Sequence, residues 1–220
     1  YFKKILGYSG WTMLNGSSVA AAYQGGNIFL NMFFGVAANA AFGVANQVSN
    51  AVYGFVGNFQ GAFQPQIVKL YAAGLKDDLW KLVNRTSLVS YYLLFIVFMP
   101  LVLNINLILN LWLGEAPDYA ANFCILLLVY FLFDALQAPL WMLIGATGEM
   151  KVYTIWSAVI TLFNLPISWW LLSRGASIYS VFLVRVALNF LCCIIRPLYV
   201  KYLLKEFSLS NYFFEVILRT

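Results

Sequence analysis

Asn39, Asn46, Tyr53 and Gln60 recur every seven residues, and Gly43, Asn50, Gly57 and Gln64 form a second series at the same interval. Between Asn39 and Gln66 the chain carries four Asn, four Gln and four Gly, and no charge. A carboxamide both donates and accepts hydrogen bonds, so rows of them suit sugar hydroxyls or another uncharged polar solute. Covalent catalysis has no comparable signal. The chain lacks His, which removes the usual general base and the commonest metal ligand. Its eight acidic residues are scattered, whereas an enzyme acting on a sugar needs them clustered or needs a metal site. Cys124, Cys192 and Cys193 lie in apolar runs without metal-type spacing and read as small buried hydrophobes. No cofactor is implied.

Two charges interrupt apolar stretches: Asp134 in "YFLFDALQAPLW" and Arg185 in "VFLVRVALNF". Each costs about 2.5–3.5 kcal/mol near the centre of a membrane helix, so neither is expected to face lipid. Three readings compete. The two neutralise each other as an ion pair, Arg185 attracts an anionic head group, or Asp134 exchanges H+ or Na+ as a coupling ion. A guanidinium fork matches phosphate oxygens well, which makes Arg185 the residue for an anion contact.

These residues sit in a chain of 220 residues that is 63% hydrophobic and 10% charged, with a mean hydropathy of +0.81. A soluble domain carries roughly 25% charged residues. The composition therefore specifies an all-α membrane protein, and six apolar tracts are long enough to cross a hydrocarbon core about 30 Å thick. They run over 7–34, 37–72, 84–112, 118–145, 151–173 and 177–204. The stretch "YAAGLKDDLWKLVNRTS" reads as an amphipathic connection, and the tail 206–220 as an interfacial amphipathic segment.

The net charge of +5 follows these spans. Lys3, Lys4, Lys69, Lys76, Lys81, Arg85, Lys151, Arg196, Lys201, Lys205 and Arg219 gather at one side, while only Arg174 lies at the other. The positive-inside rule then puts both ends of the chain in the cytoplasm. The charge is a topology signal, and nucleic acid is excluded as a partner.

On the second span the two seven-residue series form one polar, small-residue stripe, because that interval returns to nearly the same helix face. The first span repeats the design with Gly16, Ala20, Gln24, Asn27 and Asn31. Such stripes either glue helices together through amide hydrogen bonds or line a water-filled cavity for a polar solute. Prolines at 65, 100, 139, 166 and 197 fall in or at the end of five spans. In transporters such breaks are tolerated where they line a pathway or act as hinges.

The blocks "NIFLNMFFGVAANAAFGVANQVSNAVYGFVGNFQGAFQPQIVKLYAAG", "GATGEMKVY" and "NLPISWWLL" resemble the C-terminal half of bacterial polysaccharide-biosynthesis flippases. These are O-antigen flippase-like members of the multidrug/oligosaccharidyl-lipid/polysaccharide (MOP) exporter superfamily. The resemblance implies a MATE-like six-transmembrane-helix lobe, and an N-terminal lobe absent from a chain that begins at Tyr1. It further implies transport of an undecaprenyl-pyrophosphate-linked oligosaccharide across the bacterial inner membrane, for polysaccharide or lipopolysaccharide biosynthesis, without covalent chemistry. Partners would be that lipid-linked oligosaccharide, bilayer lipids, the missing lobe and a coupling H+ or Na+. Relatives often carry a basic residue in the block matching "NAAFGVA", where this chain has Phe42. Arg185 or the missing lobe must then supply that contact. The substrate cavity is expected at Gln24, Asn27, Asn31, Asn39, Asn46, Asn50, Tyr53, Gln60 and Gln64. The competing function is a cation-coupled multidrug exporter of the same superfamily, which would hold an organic cation in an acidic or aromatic cavity. A membrane scaffold or enzyme subunit is the third.

Overall fold

A computed structural model describes the backbone over 2–220 and the side chains of Gly7 and 9–220. Tyr1 and the charges of Lys3 and Lys4, used above for topology, lie outside the described residues. Seven helices make the body: α1 (Phe2–Phe34), α2 (Val36–Ala72), α3 (Lys76–Leu103), α4 (Ile105–Leu113), α5 (Ala120–Thr147), α6 (Met150–Ser173) and α7 (Ser180–Leu203). One short turn, α8 (Leu209–Tyr212), runs into a π-helical turn over Phe213–Ile217. Among the described residues there is no strand.

α3, α5, α6 and α7 are long and apolar enough to cross a membrane. α1 and α2 are longer than a span requires, at 33 and 37 residues, but their amides and glycines lower their apolar content. The chain passes between them through Gly35, whose φ of 82° is open to glycine at little cost.

The expected third span differs most from what forms. It begins at Lys76 rather than 84, because Leu79 and Val83 find a core to pack into and Asp77 and Asp78 sit in the first turn, where the helix dipole favours negative charge. The supposed amphipathic connection is therefore mostly the start of α3. The span also stops early. Asn104 interrupts it, its backbone N–H and its side-chain Nδ2 both donating to the Pro100 carbonyl, at 3.2 and 3.0 Å. α4 then continues as a separate amphipathic piece with Ile105 and Leu109 buried and Leu107 and Leu111 exposed.

α5 is the central post. It packs against α2, α3 and α7, while α1 joins α2 to α6 and α6 leads on to α7. Apolar packing is concentrated at the two ends of the lobe. One cluster gathers Leu30, Phe42, Phe123 and Phe182, and another gathers Ile67, Leu143, Tyr212 and Val216. Between them only Val56, Leu94, Leu132 and Ala135 form a small buried group. The middle of the lobe is where polar side chains replace hydrocarbon.

The tail is a strap folded onto the lobe. Phe207, Tyr212 and Val216 are buried, Tyr212 Oη donates to the Leu136 carbonyl at 3.0 Å, and Asn84 Nδ2 donates to Glu215 at 2.8 Å. Burial pushes the Tyr212 phenol above its ordinary range, so it remains a neutral donor. Tyr92 Oη bonds the Arg219 carbonyl, and an exposed Lys76–Glu206 pair at 2.6 Å closes the near end. That pair contributes little, as exposed pairs do. The buried aromatic and aliphatic side chains hold the strap.

Candidate functional site

A proline in a helix removes one N–H and presses on the carbonyl four residues earlier. Pro139 lies inside α5 and is itself buried, so the Ala135 carbonyl has no helical donor. Gln60 of α2 supplies one, its Nε2 lying 3.0 Å from that oxygen. The next two carbonyls also receive side chains: Leu136 from Tyr212 at 3.0 Å, and Gln137 from Arg196 Nη1 of α7 at 3.0 Å. Three elements thus converge on the one turn of α5 that precedes Pro139. This satisfies in protein what the bilayer cannot satisfy.

One turn away the network continues. Tyr53 Oη donates to Asp134 Oδ2 at 2.5 Å, and its ring stacks on Phe131 with centroids 4.3 Å apart. Gln137 Nε2 donates to Asn189 Oδ1 at 2.6 Å, and Asn189 Nδ2 donates to the Tyr130 carbonyl at 2.8 Å. The Arg185 guanidinium lies 4.5 Å from the centroid of the Tyr130 ring, a cation–π contact. Arg185, Asn189 and Arg196 stand at intervals of four and seven on α7 and share one face. They oppose Tyr130, Asp134 and Gln137 of α5.

A cavity of about 70 Å3, walled by apolar and polar side chains, opens beside this seam among α1, α5, α6 and α7. Tyr23, Tyr130, Thr161, Asn164, Arg185 and Asn189 line it. Arg185 there is the group that can meet an anion, and the amides and hydroxyls can meet uncharged polar atoms. Among the described residues no three His, Cys, Asp or Glu side chains come together as a metal site requires.

The expected cavity residues separate into two sets. Asn46 and Gln60 are buried: Asn46 Nδ2 donates to the Phe42 carbonyl of its own helix at 2.8 Å, and Gln60 crosses to α5. Tyr53 and Asn39 are half-buried. Gln24, Asn31, Asn50 and Gln64 are exposed, and Asn27, half-buried, donates to Gln24 Oε1 at 3.3 Å. The series at 39, 46, 53 and 60 therefore turns toward the inside of the lobe, while Asn50 and Gln64 of the second series lie at its uncovered side. The expected single stripe is two surfaces, divided by where α5 packs. The centre of the uncovered polar face runs through Gln47, Gly54, Asn58 and Gly61, all exposed or open to solvent. Sequence reasoning missed these, although positions 47, 54 and 61 follow the same seven-residue interval.

Asp134 and Arg185 do not pair. Among the described residues the ion pair within 4.0 Å is Lys76–Glu206; Asp134 takes the Tyr53 hydroxyl and Arg185 the Tyr130 ring. Arg196, counted above with the topology charges, instead reaches into the lobe between α5 and α6, with Tyr153 at 5.5 Å. Its spacing from Arg185 and Asn189 was the available signal.

The family model MatE matches residues 13–170. Neither a curated protein nor a solved structure matches the chain.

Proposed function

Because the chain belongs to the MatE family, and so to the membrane transporters of the MOP superfamily rather than to enzymes, we propose that it flips a lipid-linked oligosaccharide across the bacterial inner membrane. The substrate is an undecaprenyl-pyrophosphate-linked glycan made for cell-surface polysaccharide. This lobe works against a second, N-terminal one, with both ends of the present chain in the cytoplasm. The two lobes rock about a cavity between them, which opens alternately to either side. The exposed amides of α1 and α2, at Gln24, Asn31, Gln47, Asn50, Asn58 and Gln64, then face the passing glycan. Asn46, Tyr53 and Gln60 keep the wall in shape from behind.

The observation that carries this reading is the charge of the inner seam. Two guanidinium groups stand in it, Arg185 at the cavity and Arg196 on the Gln137 carbonyl, against one carboxylate, Asp134, which is already engaged by Tyr53. An organic cation would be repelled there, whereas a pyrophosphate would not. The competing reading, a cation-coupled drug exporter, gains from the aromatic rings of Tyr23 and Tyr130 beside the same cavity. In either case Asp134 is the candidate for H+ or Na+ coupling.

Proteoliposomes holding the full-length protein separate the two. Fluorescent polyprenyl-pyrophosphate glycan, quenched from outside, should become protected at a rate that Arg185→Gln lowers about tenfold, as loss of a charge-assisted contact worth about 1.4 kcal/mol implies. Efflux of a cationic dye with no glycan movement would assign the protein to drug export instead.

A further inference from the structure

The inner seam between α5 and α7 sets one carboxylate, Asp134, against two guanidiniums, Arg185 and Arg196, a net charge of +1. An arginine cannot shed its proton to escape burial. Both helices are long and apolar enough to span a membrane, and an unbalanced charge there is costly unless a counter-charge reaches it. Asp134 is held by Tyr53, and Arg196 by the Gln137 carbonyl. Among the described residues Arg185 has no carboxylate within 4.0 Å. It meets the Tyr130 ring, whose face lends only partial negative charge.

The cavity of about 70 Å3 places Arg185 among further donors. Thr161 and Asn164 line it from α6, three residues apart and so on one helix face. Asn164 is 5% exposed, and its Oδ1 accepts from Ser168 Oγ at 3.1 Å. That leaves Nδ2 as a buried donor without a protein partner, and it is not sealed by neighbouring atoms as Arg196 Nε is. Among the described residues no Asp or Glu lines this cavity. Val19, also on its wall, is 45% exposed, so the space is open to entry.

We propose that this cavity binds one small monovalent inorganic anion, of the size of chloride, as the counter-ion of Arg185. The guanidinium and Asn164 Nδ2 donate to it, and the Thr161 hydroxyl rotates to donate as well. Charge sets the valence, because one such anion makes the seam neutral. Volume sets the size. A water takes about 30 Å3 of liquid, so the cavity holds about two water-sized particles, a monatomic anion with one water, and excludes a pyrophosphate. The site goes beyond the flippase function and does not rest on it. If the cargo is a lipid-linked pyrophosphate, the anion neutralises Arg185 until the wall opens and the head group displaces it.

The test is equilibrium binding of radiolabelled chloride to the purified full-length protein by scintillation proximity, with gluconate holding the ionic strength constant. Binding should saturate, and bromide should compete for it while inorganic pyrophosphate does not. Arg185→Gln should abolish it. Asn164→Asp, which puts a carboxylate into the same cavity, should abolish it with Arg185 still in place. Asn164→Leu should weaken it about tenfold, the loss of one hydrogen bond of about 1.4 kcal/mol to an ion. Arg174→Gln, at the exposed end of α6, should change nothing. Absence of saturable binding in the unmodified protein would overturn the proposal, as would either Arg185→Gln or Asn164→Asp keeping the ion. Pyrophosphate competing more strongly than bromide would reassign the cavity to a polyvalent head group and overturn it too. Glycan movement enters none of these measurements, so the flippase function stands or falls separately in proteoliposomes.

Discussion

Replacing Gln60 by Met keeps the length and flexibility of the side chain and removes its donor. The Ala135 carbonyl then lies in a buried position with neither Gln60 nor a helical N–H, since residue 139 is proline. An unsatisfied buried acceptor costs about 1–3 kcal/mol, but hydrogen bonds between membrane helices average only about 0.6 kcal/mol and reach about 1.7. The lower scale usually applies because a freed group finds another partner. Here Pro139 has removed the nearest one, so the upper end, about 1.5 kcal/mol, is the expected loss. Pro139→Ala restores an N–H four residues after Ala135. In that background Gln60→Met should cost almost nothing, giving a coupling of about 1 kcal/mol or more in a double-mutant cycle. Equilibrium unfolding of all four proteins in mixed detergent measures it. Equal losses in both backgrounds would show that Gln60 does not substitute for the missing proline donor, and the account of the Pro139 turn would fall.

The other expectations follow from equally local features. Tyr53→Phe retains the stack on Phe131 and loses the bond to Asp134, so unfolding should reveal a loss of about 1–2 kcal/mol; Asp134→Asn should shrink that loss, because the bond it leaves is no longer charge-assisted. Gly25→Ala would drive a Cβ into the Leu165 side chain of α6, whereas Gly54→Ala meets open space. Thermal melts should therefore fall for the first, by an amount set by about 1–3 kcal/mol of overpacking, and stay level for the second. Val216→Asp places a charge in the buried end of the strap and should release 206–220 to limited proteolysis without unfolding the helices, since α1 to α7 pack mainly on one another.

The membrane class, the helical architecture and the ends of most helices were legible in order along the chain. Apolar length decides whether a segment can leave water, and that quantity is local. The third span was misjudged at both ends for a related reason. Its start depended on whether Leu79 and Val83 would meet a core, and its end on whether Asn104 would cap the Pro100 turn. Neither partner is visible in a window of apolar residues.

The candidate site was legible only in part. Seven-residue spacing correctly put Asn39, Asn46, Tyr53 and Gln60 on one face of α2, because a helix returns to nearly the same direction after that interval. Which face meets α5 and which stays uncovered depends on a helix about 75 residues later in the chain, and the spacing is the same for Gln47, Gly54 and Gly61. The charges behaved likewise. Asp134 and Arg185 were identifiable as intramembrane groups from their neighbours alone, yet their partners, Tyr53 and Tyr130, follow from helix rotation and packing. Arg196 looked like one more cytoplasmic charge until α5 offered it the Gln137 carbonyl. Periodicity and hydropathy are properties of one helix and can be read from one helix. Hydrogen-bond partnership is a property of two, and only their packing in space assigns it.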